Sequence, residues 1–193
     1  MVSSLKKNTM EYFRKLEEFI VSEELWPAFR NPESIAELER VAAEVYSKGS
    51  LEGSLSSILI YQQIAEEMVW VLLKDCQSMI KICLMGQAEI IFSDQHKAMF
   101  GRLIDELKNT INFENKIEFI RECNALNSIR ISVVHGLSKN TELAEIRTMA
   151  EQAKKHFESI RALYTESHKY FCDYFEHEKT NIICEYQANA MGD

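Results

Sequence analysis

The sequence predicts an all-α protein: an antiparallel helical bundle of about four core helices, preceded by an N-terminal helical extension. Three observations lead there. Apolar residues recur every three to four positions through most of the chain, which is the spacing of one helix face. No stretch shows the strict apolar–polar alternation of a half-buried strand. Glycine and proline together number only eight in 193 residues, so few helix breakers interrupt the pattern.

The elements follow in order. Over 4–25, Phe13, Leu16, Phe19 and Ile20 make a stripe flanked by Lys15, Glu17 and Glu18. Trp26-Pro27 ends it, because proline disfavours a helical residue before it. Asn31-Pro32-Glu33-Ser34 is a helix-start signal for 34–48, with proline tolerated in a first turn. The turn at 49–53 separates a 1–52 extension from a main bundle over 53–180. The longest periodic stretch, 54–85, carries Ile58, Tyr61, Ala65, Met68, Val69, Leu72, Cys76 and Cys83 on one stripe and is the expected spine. Gln62 and Glu66 sit one turn apart on its flank, and Glu67 points the other way. Asp94 is a capping residue for a helix to about 108. A helix over 114–135 and a long one over 141–179 complete the bundle, and 181–193 is a tail frayed at its end.

Composition narrows the function classes. Formal net charge is −8, from 30 acidic and 22 basic residues. Such a chain repels phosphates at long range and could take RNA only at a local positive site. The longest apolar run, 68–73, is far too short to span a bilayer, so no membrane role is expected. Five cysteines, no Cys-x-x-Cys pair and no visible signal peptide fit a reducing, cytoplasmic setting with buried free thiols. His96, His156, His168 and His177 stand among charged residues without metal-ligand spacing, so they read as surface groups, with no metal and no cofactor expected.

One stretch carries chemistry: Cys-Asn-Ala-Leu-Asn-Ser-Ile-Arg-Ile-Ser-Val-Val-His-Gly over 123–136. Leu126, Ile129, Val133, Val134 and Leu137 recur at helical spacing, and Gly136 stands where a glycine can end a helix in the left-handed conformation. Arg130 falls near the middle of that stripe, where a permanent charge is costly unless paired. Glu66 and Glu122 are its candidate structural partners. His135, five residues on and about 140° round, lies at the stripe's edge and exchanges protons near neutral pH. A cationic imidazole is also favoured at a helix C-terminus on its own account. Asn127, one turn before Arg130, is positioned to hydrogen-bond a ligand or simply water.

Arg130-Ile131-Ser132-Val133-Val134-His135-Gly136 resembles the Arg-x4-His motif of the HEPN superfamily. The resemblance covers roughly 54–175: a long helix, an irregular segment, two shorter helices with the motif ending the second, then another long helix. It implies a homodimer in which two motifs meet and cut RNA without metal, within a toxin–antitoxin or defence system. Arg130 and His135 would be the catalytic pair, with Glu66 and Asn127 in support. An RNA substrate or an antitoxin-like protein is the implied partner. The chain departs from the family at Ile131, where active members usually carry a polar residue, often asparagine. The order of elements is also similar to the mannitol operon repressor family. That likeness implies the alternative, a non-catalytic module that binds a partner or regulates. A purely structural bundle is the third reading.

Overall fold

The computed structural model describes residues 2–85, 87–92, 99–136 and 143–190. Six α-helices form a bundle: α1 (Val2–Val21), α2 (Pro32–Ser47), α3 (Leu51–Cys83), α4 (Phe100–Lys108), α5 (Lys116–Gly136) and α6 (Leu143–Ala190). A single 3-10 turn, Glu23–Leu25, follows α1, and the described residues include no strand. No helix among them is long and apolar enough to cross a membrane.

Local chemistry sets the helix starts. Asn31 accepts a hydrogen bond from the Ser34 backbone N–H at 3.1 Å, with Pro32 in the first turn as its sequence position predicts. Ser50 caps α3 by accepting from the Gly53 N–H at 3.0 Å, so α3 begins at Leu51, three residues before the expected start at 54. Gly49 turns the chain between α2 and α3 with φ +60°, a conformation that favours glycine. At Gly53 the reason for glycine differs. A Cβ there would lie 2.2 Å from the Val45 carbonyl oxygen, so α2 and α3 cross closely only because that position has no side chain.

α3 is the centre of the molecule. Its apolar stripe is buried from Ile58 to Cys76, though not at Cys83, and Ile64, Val71 and Leu73 on other faces are buried too. The helix is therefore enclosed on several sides, by α2, α4, α5 and α6. Cross-helix contacts give the directions. Tyr61 stacks on Phe157 with ring centroids 4.7 Å apart, and Asp75 meets His168 further along both chains. So α3 and α6 run the same way. α5 runs against α6, since Asn115 bonds Glu166 while Glu122 bonds His156. Phe119, Cys123, Leu126 and Val133 of α5 complete the core between them. Lys116 closes the α4–α5 corner. Its buried ammonium donates to the carbonyls of Lys108, Thr110 and Ile111 at 2.9–3.1 Å, satisfying acceptors that the end of α4 leaves open.

Several expectations are corrected. α6 does not end near 179 but runs on to Ala190, and 191–193 lie outside the described residues. α4 starts at Phe100, with Met99 at the cap position and no side-chain cap. The expected cap, Asp94, lies outside the described residues, as does Leu137. Gly136 belongs to α5, and its φ is not positive, so it is no left-handed stop. Cys76 and Cys123 are buried thiols, whereas Cys83 and Cys184 are exposed.

Candidate functional site

The motif helix meets α3 and α4 around a cavity of about 550 Å³. Gln62, Gln63 and Glu66 of α3 line one wall, Met99, Phe100, Gly101 and Arg102 a second, and Asn127, Arg130 and Ile131 of α5 the third. Three of the four residues singled out in the sequence, Glu66, Asn127 and Arg130, thus share one chamber. The fourth, His135, does not line it. It is exposed at the far end of α5, carried past the cavity by five residues of helix.

α5 presents Arg130 because its buried face is narrower than its apolar residues suggest. Leu126 and Val133 are buried, but Ile131 and Val134 are 42 % and 44 % exposed. Arg130 therefore sits at the core's edge, half-buried, rather than in the middle of a buried stripe. Its Nε is shut off from water and has no hydrogen-bond partner among the described residues. Neither expected carboxylate holds it. Glu122 is taken by Arg121 at 2.8 Å and His156 at 2.7 Å. Glu66 accepts from Gln62 Nε2 at 2.9 Å and feels the Arg130 charge only through space.

The electrostatics are those of a partly desolvated polar chamber. Burial pushes the Glu66 carboxyl above its usual range, the Glu67 charge adds to this, and the Gln62 bond with the Arg130 and Arg30 charges opposes it. Arg102 on the rim is tied to Glu106 at 3.2 Å. Arg130 is then the cavity's uncommitted cation, a planar fork suited to a phosphate or carboxylate.

The residues missed in the sequence fall into two groups. Gln63 and Arg102 of the cavity carry no motif, and only their convergence in space marks them, whereas Gln62 stands out in the sequence only as a neighbour of Glu66, without a role. Asp75 and His168 form a pair with Oδ2 and Nδ1 2.8 Å apart, and Asp75 is completely buried. His168 and His156 are thus not surface groups, since each is bound to a carboxylate. The signal for the first pair was present. A charged residue interrupts the apolar run Val71-Leu72-Leu73 and Cys76, and it needs a buried partner. No group of three or more His, Cys, Asp or Glu side chains among the described residues is arranged to hold a metal ion. Comparison of the chain with protein-family models, with curated proteins and with solved structures gives no match.

Proposed function

We propose that the chain is a HEPN-like, metal-independent endoribonuclease whose Arg130 cavity takes an RNA phosphodiester. The observation that carries this reading is the uncommitted Arg130 guanidinium in the wall of a polar cavity, on a protein whose net charge is otherwise acidic. A cation at the edge of a core with no ion pair among the described residues is expensive for folding alone, and an oxyanion in the cavity offsets that cost. The exposed apolar residues beside it support assembly as a homodimer. Ile131 and Val134 stand one turn apart on α5, and Met99, 81 % exposed, lies at the cavity's edge. Pairing two such faces by a two-fold axis brings the exposed His135 of each copy toward the partner's motif.

In that dimer the ribose 2′-oxygen attacks the adjacent phosphorus and the 5′-oxygen leaves. His135 takes up or supplies the proton, and Arg130 stabilises charge on the phosphoryl oxygens. The setting is a toxin–antitoxin or defence system in the cytoplasm, with an antitoxin-like protein as a second partner. The alternative is a non-catalytic HEPN-like partner-binding or regulatory module, similar to the mannitol repressor. It is favoured by His135 standing outside the cavity and by Ile131 following the arginine.

Filter binding of end-labelled structured RNA in EDTA tests the reading. Arg130→Ala is expected to weaken binding at least about tenfold, roughly 1.4 kcal/mol, while Lys155→Ala on the wet face of α6 changes little. Equal binding by wild type and Arg130→Ala would turn the assignment to the partner-binding module.

A further inference from the structure

A second constellation lies apart from the Arg130 cavity, where α3 meets α6. Asp75 is 0 % exposed, and its Oδ2 faces His168 Nδ1 at 2.8 Å, while Oδ1 is buried without a partner. The opposite ring nitrogen, His168 Nε2, faces the Cys172 sulfur at 3.7 Å, one turn along α6. Tyr164 stacks on the imidazole from the preceding turn, with centroids 5.4 Å apart and planes 11° from parallel. The order is carboxylate, imidazole, thiol. A carboxylate sealed in an apolar core demands a cation beside it, and His168 is positioned to be that cation. An imidazolium whose Nδ1–H is held by aspartate turns its Nε2–H toward sulfur, the arrangement that favours thiolate over thiol.

We propose that Cys172 is a built reactive-cysteine site, facing the His168 ring that Asp75 holds, and that it is where this chain reacts with hydroperoxides. Its half-buried position admits a small oxidant. The thiolate sulfur attacks one peroxide oxygen, so an S–O bond forms and the O–O bond breaks. Hydroxide leaves and takes the Nε2 proton of His168 as water. Sulfur is oxidised to sulfenic acid, peroxide is reduced, and His168 regains its proton from solvent. The groups acting on His168 are Asp75 from α3 and Cys172 from α6 itself, with the Tyr164 ring stacked against it. Burial pulls the imidazole down, but the Asp75 and Cys172 contacts outweigh it and push His168 up to about 10. The cation therefore persists through the neutral range.

The test uses the full chain and site-resolved mass spectrometry. Iodoacetamide is applied over pH 6–9 and the rate at each cysteine is followed. The Cys172 rate is expected to exceed that of the exposed Cys184 at every pH, because the His168 ring faces its sulfur. His168→Gln, confirmed folded by circular dichroism, is expected to bring the Cys172 rate down to that of Cys184 or below. Hydrogen peroxide followed by dimedone at pH 6.5 is expected to tag Cys172 ahead of the exposed Cys184. A Cys172 rate no higher than that of Cys184, a high rate that survives His168→Gln, or equal tagging of Cys172 and Cys184 would each overturn the proposal. If His168→Gln does not fold, the wild-type profile and tagging decide alone. None of these readouts depends on RNA cleavage.

Discussion

At the scale of single residues, two polar side chains meet the core in opposite ways. Arg130 stands at its edge with no ion pair among the described residues, and Asp75 stands inside it with His168. Removing Arg130 strands no buried anion, so Arg130→Ala should change the unfolding free energy by no more than about 1 kcal/mol in urea titration. Asp75→Asn leaves His168 beside a neutral amide and should cost about 3–5 kcal/mol by the same measurement. The pair also predicts a pH dependence. Burial raises Asp75 to about 6, above its ordinary 3.8, so its share of stability falls as pH rises through about 6. His168 is raised from 6.5 to about 10, so its share is fully present below 6.5 and lost as pH rises through 10. The urea midpoint should therefore fall between pH 7 and 10, and His168→Gln should flatten that fall. The sequence made Arg130 conspicuous because a charge near an apolar stripe and a histidine five residues on form a readable pattern. It hid the Asp75–His168 pair, whose members are 93 residues apart and meet only because α3 and α6 lie side by side.

At the scale of elements, local signals were legible and long-range ones were not. Asn31, Pro32 and Gly49 act as their residue types predict, since a cap or a turn is decided within four residues. The early start of α3 was less visible, because Ser50 and Gly53 act through a hydrogen bond and a close helix crossing rather than through periodicity. That crossing predicts that Gly53→Ala costs about 1–3 kcal/mol, or more if α2 is pushed off, seen as a lower thermal midpoint. A wild-type midpoint would mean that α2 and α3 do not need the contact. The length of α6 escaped the sequence because Asn181, Ile183 and Cys184, just past the expected end, are exposed and continue no apolar stripe. The burial of α5 was misjudged at Val134, which is apolar and at helical spacing yet faces solvent. Periodicity shows that a residue is on a face, and only packing shows which face is covered.

At the scale of the whole molecule, six helices bring three remote positions, Glu66, Asn127 and Arg130, around one chamber and leave His135 outside it. The all-α class was legible from spacing alone, whereas these three residues were singled out through the resemblance of the Arg-x4-His motif, and the bundle places all three on one cavity wall or another. The separation of His135 from the cavity was not legible, since it depends on α5 extending beyond α4. On the proposed reading, a second copy completes the site through the Ile131 and Val134 face. Val134→Glu places a charge in that face and should shift a dimer toward monomer in sedimentation velocity, with activity lost in step. The most direct measurement is cleavage of end-labelled structured RNA in EDTA by wild type and by His135→Ala, both folded by circular dichroism. Cleavage leaving 2′,3′-cyclic phosphate ends, and lost in His135→Ala, is the predicted result. Cleavage that survives in His135→Ala, or a folded wild-type dimer that binds RNA and leaves it intact, would contradict it.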